Sequence, residues 1–204
     1  MTRPHAAPLI TAAQTPQQVV QAVRSQQKKI VVFMGYSGTG YQDEAGMRRY
    51  AEAVLERFDP DETTISIGAT ADGIGAVYEL AKDRGFHTIG IVSSQAQDQQ
   101  VPLATCVDQV FFVKDPQWGG YVEGTTTLSP TSQAIVSSGD EFIGIGGGIA
   151  ARDEMLEARR LGKPVTFQPA DMNHALMRQK AAAKGEPEPT DFRGAAHLAL
   201  LPSE

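Results

Sequence analysis

The 204-residue sequence contains one cysteine, one tryptophan and no long apolar run. With Cys106 alone, an intrachain disulfide and a cysteine-rich metal site are excluded, and a reducing compartment is favoured. The longest apolar run covers residues 30–34, far too short to cross a bilayer, and residues 1–25 lack the apolar stretch of a secretory signal. We therefore expect a cytoplasmic protein with no membrane partner.

Basic charge is also scarce, since 18 Lys and Arg face 24 Asp and Glu, for a formal net charge of −6. This balance argues against nucleic acid as a partner, because binding to its backbone needs clustered cations. A small phosphorylated ligand is compatible with it, because backbone amides can hold phosphate. His5, His87, His174 and His197 are scattered without ligand spacing, so we expect neither a metal site nor a cofactor.

Short apolar strands alternate along the chain with amphipathic helices. Strands are predicted over residues 30–34, 64–67, 87–92, 110–113, 141–145 and 164–167, with helices between them and a last helix over 171–184. This alternation predicts an α/β fold, a Rossmann-like doubly wound domain with a mainly parallel sheet of about six strands and helices on both faces. The expected organisation is an N-terminal arm and short helix (1–26), a single domain (27–185) and a C-terminal tail (186–204).

Glycine-rich turns follow three of the predicted strands. Since the loops after parallel strands gather at the carboxyl edge of the sheet, where such folds bind ligands, the three turns predict one shared site. The alternative is that the glycines only permit tight turns and close packing. The candidate ligand-binding residues in these turns are Gly35, Ser37, Gly38, Thr39 and Gly40; Gly68, Thr70, Asp72 and Gly75; and Gly146, Gly147, Gly148, Ile149, Ala150, Ala151 and Arg152.

Two familiar phosphate-binding motifs do not fit these turns. The spacing Gly35-x-x-Gly38-x-Gly40 is not the GxGxxG of dinucleotide dehydrogenases, and no acidic residue ends the second strand to hold a ribose. No lysine follows the first turn, as a P-loop requires. These departures argue against a dehydrogenase and against a P-loop ATPase.

Side chains near the turns supply candidate chemistry. Glu154 is the candidate catalytic acid, with Asp153 second, because apolar neighbours on its helix would desolvate it and raise its pKa; the alternative is that both acids complement the helix dipole. Trp118 and Tyr121 flank two glycines in a long loop and could stack on a base, or instead cover the core or a subunit interface.

Taken together, the three turns resemble the LOG (Lonely Guy) family of nucleoside-monophosphate phosphoribohydrolases, long labelled lysine decarboxylase-like, within the wider SLOG group of Rossmann-like nucleotide-binding proteins. The likeness covers roughly residues 30–170. The family pattern VFxGSSxG is similar to residues 32–38 (VFMGYSG), its second glycine segment to 68–91, and its signature sDAFIALPGGxGTxxE to 139–154 (GDEFIGIGGGIAARDE). In that match Glu154 takes the place of the catalytic glutamate.

The same match shows where the chain departs from the family. Gly146 replaces the proline, Ala150-Ala151 replace the Gly-Thr that helps hold phosphate, and Thr131-Ser132 stand where LOG enzymes carry an arginine-lysine pair. The resemblance thus implies the fold and a nucleotide-like ligand without standard LOG activity, and by analogy a homodimer. The alternatives are an N-glycosidic hydrolase of a nucleoside monophosphate with Glu154 as its key acid, and a structural or oligomeric protein with no ligand.

Overall fold

A computed structural model of the protein describes residues 7–201. His5, the first part of the predicted arm and the last three residues of the predicted tail lie outside this range. The strands are β1 (Leu9–Ile10), β2 (Lys29–Gly35), β3 (Thr63–Ile67), β4 (His87–Ser93), β5 (Gln109–Val113), β6 (Glu141–Ile145) and β7 (Val165–Gln168).

Helices connect these strands, and one 3₁₀ turn (Gly73–Gly75) leads into α3. The helices are α1 (Pro16–Arg24), α2 (Glu44–Leu55), α3 (Ala76–Asp83), α4 (Gln95–Asp98), α5 (Pro130–Ser138), α6 (Ile149–Arg160), α7 (His174–Lys184) and α8 (Ala195–Leu200). None of the helices between residues 7 and 201 is both long and apolar enough to span a membrane.

The strands form one parallel sheet in the order β1-β5-β4-β3-β2-β6-β7. From β2 the chain first builds outward through β3, β4 and β5, and then returns to place β6 and β7 on the other side of β2. This confirms the predicted doubly wound fold. The order reverses between β2 and β6, which is the point where ligands bind in such sheets.

Strand β2 explains why the core lies on both faces of the sheet. Its residues alternate between two buried clusters, as successive side chains of a strand must. Val31 and Phe33 pack with α2 and α3, whereas Ile30, Val32 and Met34 pack with α1, α5, α6 and α8. A continuous apolar run is therefore the expected sequence for this central strand.

Capping side chains set the starts of α1 and α7. Thr15 caps α1, because its hydroxyl accepts from the N–H of Gln18 while the Gln18 side chain accepts from the N–H of Thr15. Helix α7 begins three residues later than predicted, because the Asn173 side chain caps it by accepting from the N–H of Leu176.

Three short elements were not predicted. Strand β1 lies in the predicted arm and adds a seventh strand by pairing Leu9 with Gln109; α4 lies in the Gln-rich connection; and α8 lies in the predicted tail. Each has six residues or fewer, too few to establish a period, so the contacts of each with the rest of the protein decide its conformation.

Candidate functional site

A cavity of about 410 Å³ lies at the carboxyl ends of the central strands. It brings together residues from the turns after β2 and β3, from the long loop after β5, and from the start of α6. Predicted site residues that line it are Gly35, Ser37, Gly68, Thr70, Trp118, Ala150, Ala151 and Glu154. The remaining walls are mostly apolar, and include Ile67, Ile91 and Leu103.

Other predicted residues lie elsewhere. Gly40, Asp72 and Gly75 line a separate cavity of about 280 Å³ beside α2 and α3. The Gly38 carbonyl accepts from Lys180 Nζ at 2.6 Å.

Three further residues predicted to bind ligand make contacts within the protein itself. The Thr39 carbonyl accepts from the N–H of Asn173. The Thr70 hydroxyl closes a local turn with the backbone of Asp72. Tyr121 packs against the core rather than lining the cavity.

The third glycine turn is covered by the C-terminal segment (residues 185–201). Gly146 and Gly147 are buried and have φ of +58° and +137°, which favour glycine. The Gly147 carbonyl accepts from the N–H of Ala196 at 3.1 Å. A Cβ on Gly194 would lie 2.1 Å from that carbonyl oxygen. These glycines therefore allow close packing of the chain on itself.

Tyr36 fastens the same segment. Its hydroxyl accepts from the N–H of Gly194 at 2.7 Å and donates to the Ala170 carbonyl at 2.9 Å. Burial raises the pKa of the Tyr36 hydroxyl. Sequence reasoning missed this role, because Tyr36 and Gly194 are 158 residues apart.

The first turn of α6 follows the covered glycines and faces the cavity through Ala150 and Ala151. The backbone N–H groups of Ile149, Ala150 and Ala151 have no acceptor among the described residues. Such amides, with the positive end of the helix dipole, are suited to an anion. The Ile149 side chain is itself 64% exposed.

Glu154 is buried in the wall of the cavity, with 6% of its surface exposed. Its Oε1 accepts from the Ser132 hydroxyl at 2.5 Å, and that hydroxyl accepts from the N–H of Gly120 at 2.7 Å. Burial raises the pKa of Glu154 to about 7; the charge of Asp153 adds to the rise, and the Ser132 hydrogen bond opposes it. The carboxyl group can therefore hold or release a proton near neutral pH.

Asp153 faces the long loop instead. It is 2% exposed, accepts from the N–H of Tyr121 at 2.9 Å, and pairs with Arg152 at 2.7 Å. Arg152 is therefore engaged by Asp153 and does not line the cavity. Together Asp153 and Glu154 position residues 118–121, where Gly119 and Gly120 have φ of +124° and +83°.

Thr131 and Ser132, which replace the arginine-lysine pair of the LOG pattern, both lie at the start of α5. The Thr131 N–H donates to the buried Asp115 carboxylate at 2.8 Å, and Thr131 also lines the cavity. The Thr131 Oγ1 is buried without a hydrogen-bond partner in the described part of the chain. No sequence spacing connects Ser132 with Glu154 or Asp115 with Thr131, so these contacts could not be predicted.

Charge inside the cavity is sparse. Of the described residues that line it, Glu154 alone has a charged side chain, and neither lysine nor arginine contributes. Within residues 7–201, no three His, Cys, Asp or Glu side chains come together as a metal site would require.

No protein-family model matches this sequence, and no curated protein matches it. The fold is similar to that of TM1055, at 20% identity over 67% of this chain and 72% of that one, with a TM-score of 0.50. It is also similar to the molybdenum cofactor carrier protein of Chlamydomonas reinhardtii, at 18% identity over 69% and 76% of the two chains, with a TM-score of 0.50. At these identities the likeness shows the shared fold alone.

Proposed function

We propose that the protein binds a nucleotide or nucleotide-derived ligand at the carboxyl edge of its sheet, without standard LOG activity. The cavity at the carboxyl ends of β2, β3 and β4, bounded by the first turn of α6, carries this proposal. Its volume of about 410 Å³ suits a small molecule. The structural alternative, with glycines serving packing alone, accounts for Gly146 and Gly147 but leaves this cavity without a use.

The polar groups around the cavity suit a phosphate held without cations. The N–H groups of Ile149, Ala150 and Ala151, which have no acceptor within residues 7–201, supply donors, and the Ser37 hydroxyl lines the same cavity. The apolar walls suit the base of a nucleotide, and Trp118, half exposed, is placed to stack on it.

The start of α5 argues against the family reaction. Where LOG enzymes have arginine and lysine, Thr131 donates its N–H to Asp115 and Ser132 donates its hydroxyl to Glu154. Neither residue supplies the positive charge that would offset the substrate phosphate or balance Glu154. We therefore expect the protein to bind its ligand without catalysing the LOG reaction.

A second function is favoured by one observation. Glu154 is a buried carboxyl in the cavity wall, and its pKa of about 7 suits a general acid or base near neutral pH. An N-glycosidic hydrolase acting on a nucleoside monophosphate, with Glu154 as its key acid, is the alternative proposal. By analogy with LOG proteins we also propose a homodimer, which light scattering tests.

Titration calorimetry with AMP, GMP, ADP-ribose and NAD tests ligand binding. Molybdenum cofactor belongs in the same panel, because one protein of this fold is named as its carrier. The expected result is saturable binding of at least one compound without release of free base. No binding across the panel would contradict the proposal, and release of base that is lost in Glu154→Gln would favour the hydrolase.

A substitution that fills the cavity tests whether the ligand binds there. Gly68 lines the cavity, and a Cβ there would meet no atom within 4 Å. Gly68→Leu should therefore place a side chain in the cavity and abolish binding while the thermal unfolding temperature stays close to that of the wild type. Unchanged binding in a folded Gly68→Leu protein would place the ligand elsewhere.

A further inference from the structure

One oxygen of Glu154 receives no hydrogen bond from residues 7–201. Oε1 accepts from Ser132, whereas no donor among the described residues reaches Oε2. No described lysine, arginine or histidine pairs with this carboxyl group. Glu154 is nonetheless buried, with 6% of the residue exposed, and it lines the cavity.

A largely buried carboxylate that accepts a single hydrogen bond, here from Ser132, is costly to ionise, since it loses water without regaining enough donors. A ligand that presents N–H groups would restore them, because an ionised carboxyl can accept two parallel N–H bonds. A carbonyl oxygen or phosphate in the same place would face the ionised acid with another acceptor. The chemistry of Glu154 thus favours the donor-rich end of a ligand.

We propose that Glu154 is the specificity-determining residue for the base, and that it accepts hydrogen bonds from an amino group and an adjacent ring N–H. Among purines this donor pair is the 2-amino and N1–H edge of guanine. The inference rests on the proposed function, because it assigns one end of the ligand bound in the same cavity.

Neighbouring groups support this orientation. The loop that carries Trp118 lies directly beside Glu154, since a Cβ on Gly119 would be 3.5 Å from Glu154 Oε1. A ring whose edge meets Glu154 is therefore within reach of the Trp118 indole, which lines the same cavity. The Ser37 hydroxyl, on the turn after β2, and the backbone N–H groups at the start of α6 are left for the sugar-phosphate end.

GMP and IMP form a matched pair, because they differ only in the 2-amino group. Trp118 is the single tryptophan, so its fluorescence reports binding directly, and calorimetry gives the dissociation constants. We expect the wild type to bind GMP about tenfold more tightly than IMP, since a site built to accept a donor discriminates against the analogue that lacks it. Glu154→Gln should abolish this ratio, because its amide nitrogen replaces one acceptor with a donor.

Glu157→Gln, on the same helix but paired with Arg160 outside the cavity, is the matched control and should keep the wild-type ratio. Equal binding of GMP and IMP by the wild type would overturn the inference and leave the proposed function intact, whatever the folding of the variants. An unchanged ratio of GMP affinity to IMP affinity in Glu154→Gln would also overturn the inference and leave the proposed function intact. Discrimination between guanosine and inosine, with no binding of either nucleotide, would support base recognition and contradict the phosphate site. No binding of GMP, IMP, guanosine or inosine would overturn this inference, whereas the proposed function would be overturned only if AMP, ADP-ribose, NAD and molybdenum cofactor also failed to bind.

Discussion

The burial of Glu154 should make the stability of the protein depend on pH in a way that one substitution removes. Burial raises the pKa of Glu154 from its ordinary value of 4.5 to about 7 in the folded protein. Between these two values the folded state keeps a proton on Glu154 that the unfolded chain releases. Stability must therefore fall as the pH rises from 4.5 to 7, and this contribution becomes constant above that range.

The size of the effect follows from the same two values. At about 1.4 kcal/mol for each pH unit between them, the ionised carboxyl group costs the folded protein roughly 3 kcal/mol at pH 8 relative to pH 4.5. Glutamine at position 154 cannot ionise and can still accept from the Ser132 hydroxyl. The free energy of unfolding of wild type minus that of Glu154→Gln should thus decrease by about 3 kcal/mol over this range, mostly between pH 5 and 7.

Urea denaturation followed by circular dichroism at intervals from pH 5 to pH 8 measures this difference. Comparison with the variant cancels the titration of the other groups that both proteins share. Glu157→Gln is the control, because hydrogen bonding to Arg160 lowers the pKa of Glu157 and its effect on stability should stay constant above pH 5. A difference between wild type and Glu154→Gln that does not vary with pH would refute the assignment of a raised pKa to Glu154.

Two further predictions concern the segments that border the cavity. Asp153→Ala removes the acceptor of the Tyr121 N–H, so it should destabilise the protein by about 1–3 kcal/mol in urea denaturation and lower the fluorescence anisotropy of Trp118. Gly194→Ala places a methyl group against the Gly147 carbonyl, so it should cost about 1–3 kcal/mol of stability and make the C-terminal segment more susceptible to limited proteolysis.

Two control variants separate these effects from a general loss of stability. Glu157→Ala removes an acid from the same helix as Asp153 and should leave the Trp118 anisotropy unchanged. Gly68→Ala adds a methyl group where no atom lies within 4 Å and should leave proteolysis of the C-terminal segment unchanged. Wild-type anisotropy in Asp153→Ala, or wild-type proteolysis in Gly194→Ala, would contradict the roles assigned to these contacts.

Elements with strong local patterns could be predicted from sequence. The apolar residues of β6 predicted this strand with the bounds that the structure has. Strand β1 could not be predicted in the same way. Its two residues are extended because they pair with β5, about 100 positions later in the chain.

In the candidate site, too, local patterns predicted some residues, whereas contacts between distant segments decided the role of others. Ala150, Ala151 and Glu154 were identified because a helix that follows a buried strand presents its first turns at the edge of the sheet. The same reasoning placed Gly146 and Gly147 in contact with ligand. In the structure Gly147 instead contacts the chain's own C-terminal segment, which no local pattern connects with residue 147.

The sequence alone determined the alternation of strands and helices, the parallel sheet and the edge where its turns converge, because these follow from periods and caps within a few residues of one another. Only the tertiary structure decided that the third glycine turn is covered and that Asp153 positions the long loop. It likewise decided that Ser132 connects Glu154, a residue of the cavity wall, with the N–H of Gly120 in that loop. Each of these features depends on a contact between distant segments, and burial at that contact, rather than residue type, sets the chemistry of the side chain.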